Sequence, residues 1–135
     1  MKLTRMLACA ALFAGAASAQ ITPLGAGTAP LFVTGSPQPG HSLDISPFVA
    51  PFPFVIIGVS RVDIELSTLW TFCQETLVPA LDIVVPVSMH IDIPNTPSVV
   101  GYTFYAQGLM GGVGTCFVEP FFYAQLTEAV QITIQ

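Results

Sequence analysis

Ser88-Met89-His90-Ile91-Asp92-Ile93-Pro94-Asn95-Thr96-Pro97, residues 88–97, decides the fold class. Met89, Ile91 and Ile93 alternate with Ser88, His90 and Asp92, which is the period of a strand with one buried and one wet face. Pro94 then removes a ladder donor, and Asn95 to Pro97 turn the chain. The same alternation sets Val62, Ile64 and Leu66 against Arg61, Asp63 and Glu65. It sets Val130, Ile132 and Ile134 against Gln131, Thr133 and Gln135. Phe54 to Val59 is instead continuously apolar, as in a strand buried on both faces.

Working outward from these runs, 12 prolines and 11 glycines divide the chain into short pieces. No stretch keeps a helical apolar period for long without meeting a breaker. Leu31 to Thr34 and Ser42 to Ile45 read as strands around a Gly35-Ser36-Pro37-Gln38-Pro39-Gly40 turn, and Pro47 closes the second. A strand over Val99 to Met110 is expected to place Val100, Tyr102, Phe104 and Ala106 on one face. Gly111-Gly112-Val113-Gly114 is then expected to turn it back as a hairpin. About seven to nine short strands at this spacing predict an all-β fold, a small antiparallel two-sheet β-sandwich. Phe104-Tyr105-Ala106-Gln107 is echoed by Phe122-Tyr123-Ala124-Gln125, two strands with similar packing needs and too little for a repeat protein.

The first nineteen residues follow a different logic. Lys2 and Arg5 precede an uncharged apolar run from Leu7 to Ala16, and Ala17-Ser18-Ala19 offers a small-residue cleavage site before Gln20. This is the layout of a secretory signal peptide. The expected organisation is a signal over 1–19, an extended lead-in over 20–30 and a single domain over 31–135. No later stretch is apolar for long enough to span a bilayer as a helix, so no transmembrane segment is expected after cleavage. The expected location is outside the cytoplasm: extracellular, periplasmic or in the cell envelope. Lipid attachment at Cys9 would leave almost no apolar region to be recognised. An outer-membrane barrel is disfavoured by the many prolines.

After cleavage Arg61 is the one remaining cation, set against Asp44, Asp63, Glu65, Glu75, Asp82, Asp92, Glu119 and Glu128, a net charge of −7. One cation cannot neutralise a phosphate backbone, which excludes nucleic acid, and the same reasoning excludes anionic lipid surfaces. Charged residues make up 8% of the chain against a usual share of about 25%, so the domain's surface is polar but largely uncharged, or partly covered by partners. Cys73 and Cys116 survive cleavage, and an even pair in an oxidising compartment reads as a disulfide. Closing the loop between them stabilises the fold by about 4 kcal/mol on the chain-entropy model. The alternative is two separate buried thiols.

Candidate chemistry is sparse. Ser88, His90 and Asp92 share one strand face, with side chains roughly 7 Å apart, too far for the successive hydrogen bonds of a triad. His90 with Asp92 supplies too few ligands for a zinc site, and the other histidine, His41, lies in a turn. Asp82 and Asp92 lack the Asp-rich loop that calcium favours. Neither metal nor cofactor is therefore expected. Arg61, Asp63 and Glu65 share a face and read as a surface ion pair, or as a cation that could grip a partner's carboxylate. Trp70 and Phe72 share a face and either pack in the core or stack on a sugar ring. Trp70, Phe72 and Arg61 are thus the candidate ligand-binding residues. No phosphate loop, metal knuckle or activated nucleophile is present, and catalysis is not expected.

Ile91-Asp92-Ile93-Pro94-Asn95-Thr96-Pro97-Ser98-Val99-Val100-Gly101, then Phe104-Tyr105-Ala106-Gln107, and finally Ala129-Val130-Gln131-Ile132-Thr133-Ile134 form a recognisable series. It resembles a β-rich, C-terminal-type module of secreted planctomycete-type bacterial proteins. The chain departs from that pattern at Thr127-Glu128, where the module usually shows Ser-Asn. The resemblance implies secretion and a β-sandwich, and no enzymatic activity. Together these readings lead to a structural, adhesive or assembly role in the cell envelope or extracellular matrix. Its partners would be other copies of itself, envelope or matrix proteins, or polysaccharide. The alternative is a secreted carbohydrate- or ligand-binding module using exposed aromatics.

Overall fold

A computed structural model describes residues 20–47, 52–66, 75–113 and 122–135. Residues 1–19, where a signal peptide is expected, and Trp70, Phe72, Cys73 and Cys116 lie outside these residues. The described part is all-β and antiparallel. Its strands are β1 (Gln20–Pro23), β2 (Leu31–Gly35), β3 (Ser42–Pro47), β4 (Pro53–Gly58), β5 (Arg61–Glu65) and β6 (Thr76–Pro79). They continue as β7 (Ile83–Pro86), β8 (Met89–Asp92), β9 (Thr103–Val113), β10 (Phe122–Leu126) and β11 (Val130–Thr133). These eleven strands exceed the expected seven to nine because the Gln20, Thr76 and Ile83 stretches add short strands. A single 3-10 turn, Pro97–Val99, is the helical element among the described residues, and none of their helices is long and apolar enough to cross a membrane.

Six strands form the main sheet, in the order β1-β11-β9-β4-β7, with β10 also pairing with β9. β2-β3-β8 form a second sheet and β5-β6 a third. β9 organises the main sheet. One of its sides carries β11 opposite Thr103–Ala106 and β10 opposite Leu109–Val113, and the other carries β4. Gln20–Pro23 lies antiparallel to β11 and so belongs to the main sheet.

The main sheet is buried from both sides, which accounts for the continuous apolar run in β4. Val55 and Ile57 face one core with Leu43 and Ile45 of β3, Ala106 of β9, and Val130 and Ile132 of β11. This is the sandwich core between the six-stranded and three-stranded sheets. Ile56 points the other way, into a smaller core with Leu66, Leu77 and Leu126, against which Leu109 packs. The β5-β6 pair covers that second face.

Alternation holds where one face meets a core. Along β11 and just past it, Val130, Ile132 and Ile134 are buried; in β8 His90 and Asp92 are exposed, while Ile93 just beyond it is buried. It fails as a guide to burial in β5, all five residues of which are exposed. β6 lies against β9 and β4, and its Leu77 and Val78 take the buried places. Val62 and Ile64 of β5 remain 41% and 50% exposed. Pairing of β5 with β6 also shifts register between Arg61 and Ile64, where Asp63 has φ of 48°. Asp tolerates that left-handed conformation, and the resulting bulge twists the strand outward.

Two further expectations are corrected. β9 does fold back antiparallel onto β10 as the expected hairpin, but Gly111 and Gly112 do not turn the chain: β9 runs through them to Val113, and Gly114 lies outside the described residues. Glycine is compatible with a strand when a neighbour supplies the ladder, and here β10 pairs with both glycines while Gly111 N–H also donates to Phe52 O at 3.3 Å. Val100 and Tyr102 are exposed and do not continue the face of Phe104 and Ala106, because the 3-10 turn interrupts the strand before Thr103. Ile132 is fully buried at the centre of the sandwich core. Ile132→Ala is expected to cost about 2–5 kcal/mol of stability, measured as a shift of the urea unfolding midpoint.

Candidate functional site

Three places in the fold carry polar or exposed features that need a physical account. The first is a buried polar junction behind the β5-β6 pair. Gln107 has no exposed surface. Its Oε1 accepts from Val78 N–H at 3.0 Å, and its Nε2 donates to the carbonyls of Thr76 and Thr127, both at 3.0 Å. Thr76 and Val78 present these groups on the edge of β6 turned away from β5. The Gln107 carboxamide therefore occupies the place of a neighbouring strand's peptide group. Thr76 N–H completes that edge by donating to Ala26 O at 3.1 Å.

Thr127 lies where the chain leaves β10 and enters β11. It is fully buried, and its Oγ1 accepts from Gly108 N–H at 2.7 Å and donates to Glu128 O at 2.9 Å. Thr127 N–H donates to Gly108 O at 2.9 Å. Gly27 passes so close that a Cβ there would stand 2.1 Å from Thr127 O, which only glycine avoids. Glu75, 1% exposed, closes the junction: its carboxylate accepts from Leu126 N–H and, at 3.0 Å, from the Thr28 hydroxyl. Gln125 Nε2 donates to the same hydroxyl at 2.7 Å. Burial raises the Glu75 pKa, and the bonds from Leu126 and Thr28 oppose the rise. Every side-chain polar atom buried among the described residues has a partner. The junction is a structural fastening whose buried polar groups are satisfied by one another.

Sequence reasoning missed this junction. In the sequence Glu75 is one acid among eight, and Gln107 belongs only to the echoed and family-like stretch Phe104 to Gln107. The two glutamines have different fates, one inside the fold and the other tying the surface of β10 to Thr28. Their partners lie tens of residues away, so no local pattern carries the signal.

The second place is on the three-stranded sheet. His90 of β8 stands opposite Asp44 of β3. Its Nδ1 is 2.7 Å from Asp44 Oδ1 and its Nε2 is 3.1 Å from Asp92 Oδ1, so His90 and Asp92 do make the contact that strand spacing is expected to forbid, because strand side chains can lean along the strand toward each other. Hydrogen bonding to Asp44, then to Asp92, raises the His90 pKa above its ordinary 6.5. Ser88 lies outside β8, its N–H bonded to Pro86 O, and the groups that hold His90 are the two aspartates. Among the described residues no group of three or more His, Cys, Asp or Glu is arranged to hold a metal ion. His41 sits in its turn with Nδ1 3.3 Å from Pro39 O.

The third place is the end of the main sheet at β7. Ala80 N–H donates to Ser60 O at 2.9 Å, and Asp82 Oδ2 accepts from Val59 N–H at 2.8 Å. These bonds hold the β4-β5 and β6-β7 turns side by side, with Val59 and Leu81 exposed. Ile83 and Val84 of β7 are also exposed. Arg61 lies near this end on β5, and its Nε donates to both Asp63 oxygens at 2.8 and 2.6 Å. Asp63 raises the guanidinium's pKa further. The expected local ion pair is thus formed, and the guanidinium is already engaged within its own strand.

Two outcomes follow for the junction. Gln107→Met keeps the volume and removes all three bonds, leaving backbone groups unpaired, and is expected to cost at least about 2 kcal/mol in urea unfolding. For Glu75 the folded pKa lies above the unfolded value near 4.5, so the folded chain holds this proton to higher pH. The Glu75 contribution to stability is then most favourable in acid and declines as pH rises through the folded value. Measured against Glu75→Gln in a pH series, the wild-type chain is expected to lose relative stability from acid to neutral pH. No protein-family model, curated protein or solved structure matches this chain.

Proposed function

We propose that the protein is a secreted, non-catalytic β-sandwich module with a structural or adhesive role in the cell envelope or extracellular matrix, and that it assembles through the edge strand β7. The observation that carries this reading is the character of that edge. Among the described residues β7 pairs with β4 alone and contains no charged residue. Val87 N–H donates to Pro53 O at 2.8 Å, so by antiparallel alternation Val85 and Ile83 bond to β4, and Val84 directs its N–H and C=O outward. Pro86 has no N–H to offer. An uncharged edge without a lysine guard favours strand addition, and Pro86 restricts it to a short register around Val84. The signal sequence, the scarcity of charge and the resemblance of Ile91 to Gly101 and Phe104 to Gln107 to secreted modules support the same role.

A secreted carbohydrate- or ligand-binding module is the second reading, favoured by the exposed rings of Tyr102 and Phe32. Flat exposed aromatics suit stacking on sugar faces. Trp70 and Phe72, the aromatic pair first singled out for that role, lie outside the described residues.

Size-exclusion chromatography with light scattering separates the two. Concentration-dependent association that Val84→Lys abolishes, with unchanged circular dichroism, is expected for assembly at β7. A strict monomer at high concentration whose tryptophan fluorescence is quenched by oligosaccharides would replace this reading with the second.

A further inference from the structure

We propose that His90 is a proton-operated clamp that fastens edge strand β8 to β3. The argument rests on donors and acceptors. At neutral pH a carboxylate only accepts hydrogen bonds, and a neutral imidazole has one N–H and one lone pair. Both ring nitrogens of His90 are within hydrogen-bond distance of a carboxylate oxygen: Asp44 Oδ1 at 2.7 Å and Asp92 Oδ1 at 3.1 Å. A neutral ring would set its lone pair against one of them. Only the imidazolium, with two N–H groups, satisfies both, so closing the clamp and binding the proton are one event.

The position gives that event a consequence. β8 is four residues long, stands at an edge, and pairs with β3 alone among the described residues. Its inward side chains, Met89 and Ile91, are only half-buried. The chain just beyond β8 is pinned, since Ile93 N–H donates to His41 O at 2.9 Å and Gly40 N–H to Ile93 O at 3.0 Å. At the other end the chain enters β8 through Val87, whose φ is 68°, and Ser88. Asp44 to His90 is therefore the side-chain tie that crosses between strands at the less pinned end, while Asp92 orients the ring from within β8. The charged groups facing the ring are Asp44 from β3 and Asp92 from β8; on β2, Thr34 stands opposite Asp44 and is neutral. All three side chains are solvent-exposed, so the tie is screened by salt. The sign is that of a histidine with a raised pKa. The tie is complete below the ordinary histidine range and loses its charge and one of its two hydrogen bonds as pH rises through the folded value.

Nitrogen-detected NMR of the His90 ring, on the purified full chain, tests the proposal. Two protonated ring nitrogens are expected at mildly acidic pH, with a midpoint above 6.5 that Asp44→Asn and Asp92→Asn each lower. By the ladder's alternation, the Met89 and Ile91 amides face β3. Their hydrogen-exchange protection, corrected for the intrinsic rate, is expected to step down through that midpoint, and His90→Gln is expected to remove the step. A midpoint at or below 6.5, or a protection step that survives in His90→Gln, overturns the clamp.

Discussion

The carboxamide of Gln107 takes the place of a missing strand. β6 needs a hydrogen-bonding partner on the edge it turns away from β5, and the main sheet reaches it with a side chain and not with backbone. Two donors and one acceptor are consumed by Val78, Thr76 and Thr127. The same residue thereby joins the outer β5-β6 pair, the central strand β9 and the corner between β10 and β11. Such a group is costly to bury unless every bond is made, which gives the junction its specificity: a shifted β6 would strand a full amide in an apolar core. Thr127, Gly27 and Glu75 surround it, and each solves the same problem of backbone polar groups that meet where strands end.

From that junction the layering follows. The main sheet can be covered on both faces because β6 has a fixed seat on its second side, and Ile56, Leu77 and Leu126 close the small core there. The sandwich core on the other side is larger and conventional, built from β3, β4, β9 and β11. What this leaves outside is equally informative. β5 rides on β6 with both faces in water, and β7 ends the main sheet without a charge. A chain with so few ionisable groups has little means of protecting edges electrostatically, and proline and bulges take over that task. Pro86 and the Asp63 bulge are the two instances on the exposed end of the molecule.

The few charges present are used locally. Arg61 binds Asp63 in its own strand, Asp82 caps a turn amide, and Asp44 and Asp92 hold His90. Glu75 is the exception, spent inside the fold.

The fold class was legible in the amino-acid order wherever a strand has one neighbour layer. Period-two alternation over Met89 to Ile93 and Val130 to Ile134 reports a half-buried strand, and the unbroken run in β4 reports burial on both faces. These signals are local, because side-chain direction along a strand depends only on successive residues. The charge balance and the signal layout are likewise properties of composition and need no fold. Tertiary structure decided the rest. Val62 and Ile64 have the pattern of core residues, yet β6 occupies the place next to the main sheet. Gly111 and Gly112 have the composition of a turn, yet β10 pairs that end of β9 and keeps it extended. Phe104 to Gln107 and Phe122 to Gln125 are the same four residues, yet only Gln107 meets an unpaired strand edge. In each case the deciding partner is distant in sequence, and burial and hydrogen bonding depend on which surfaces meet, which no local pattern encodes.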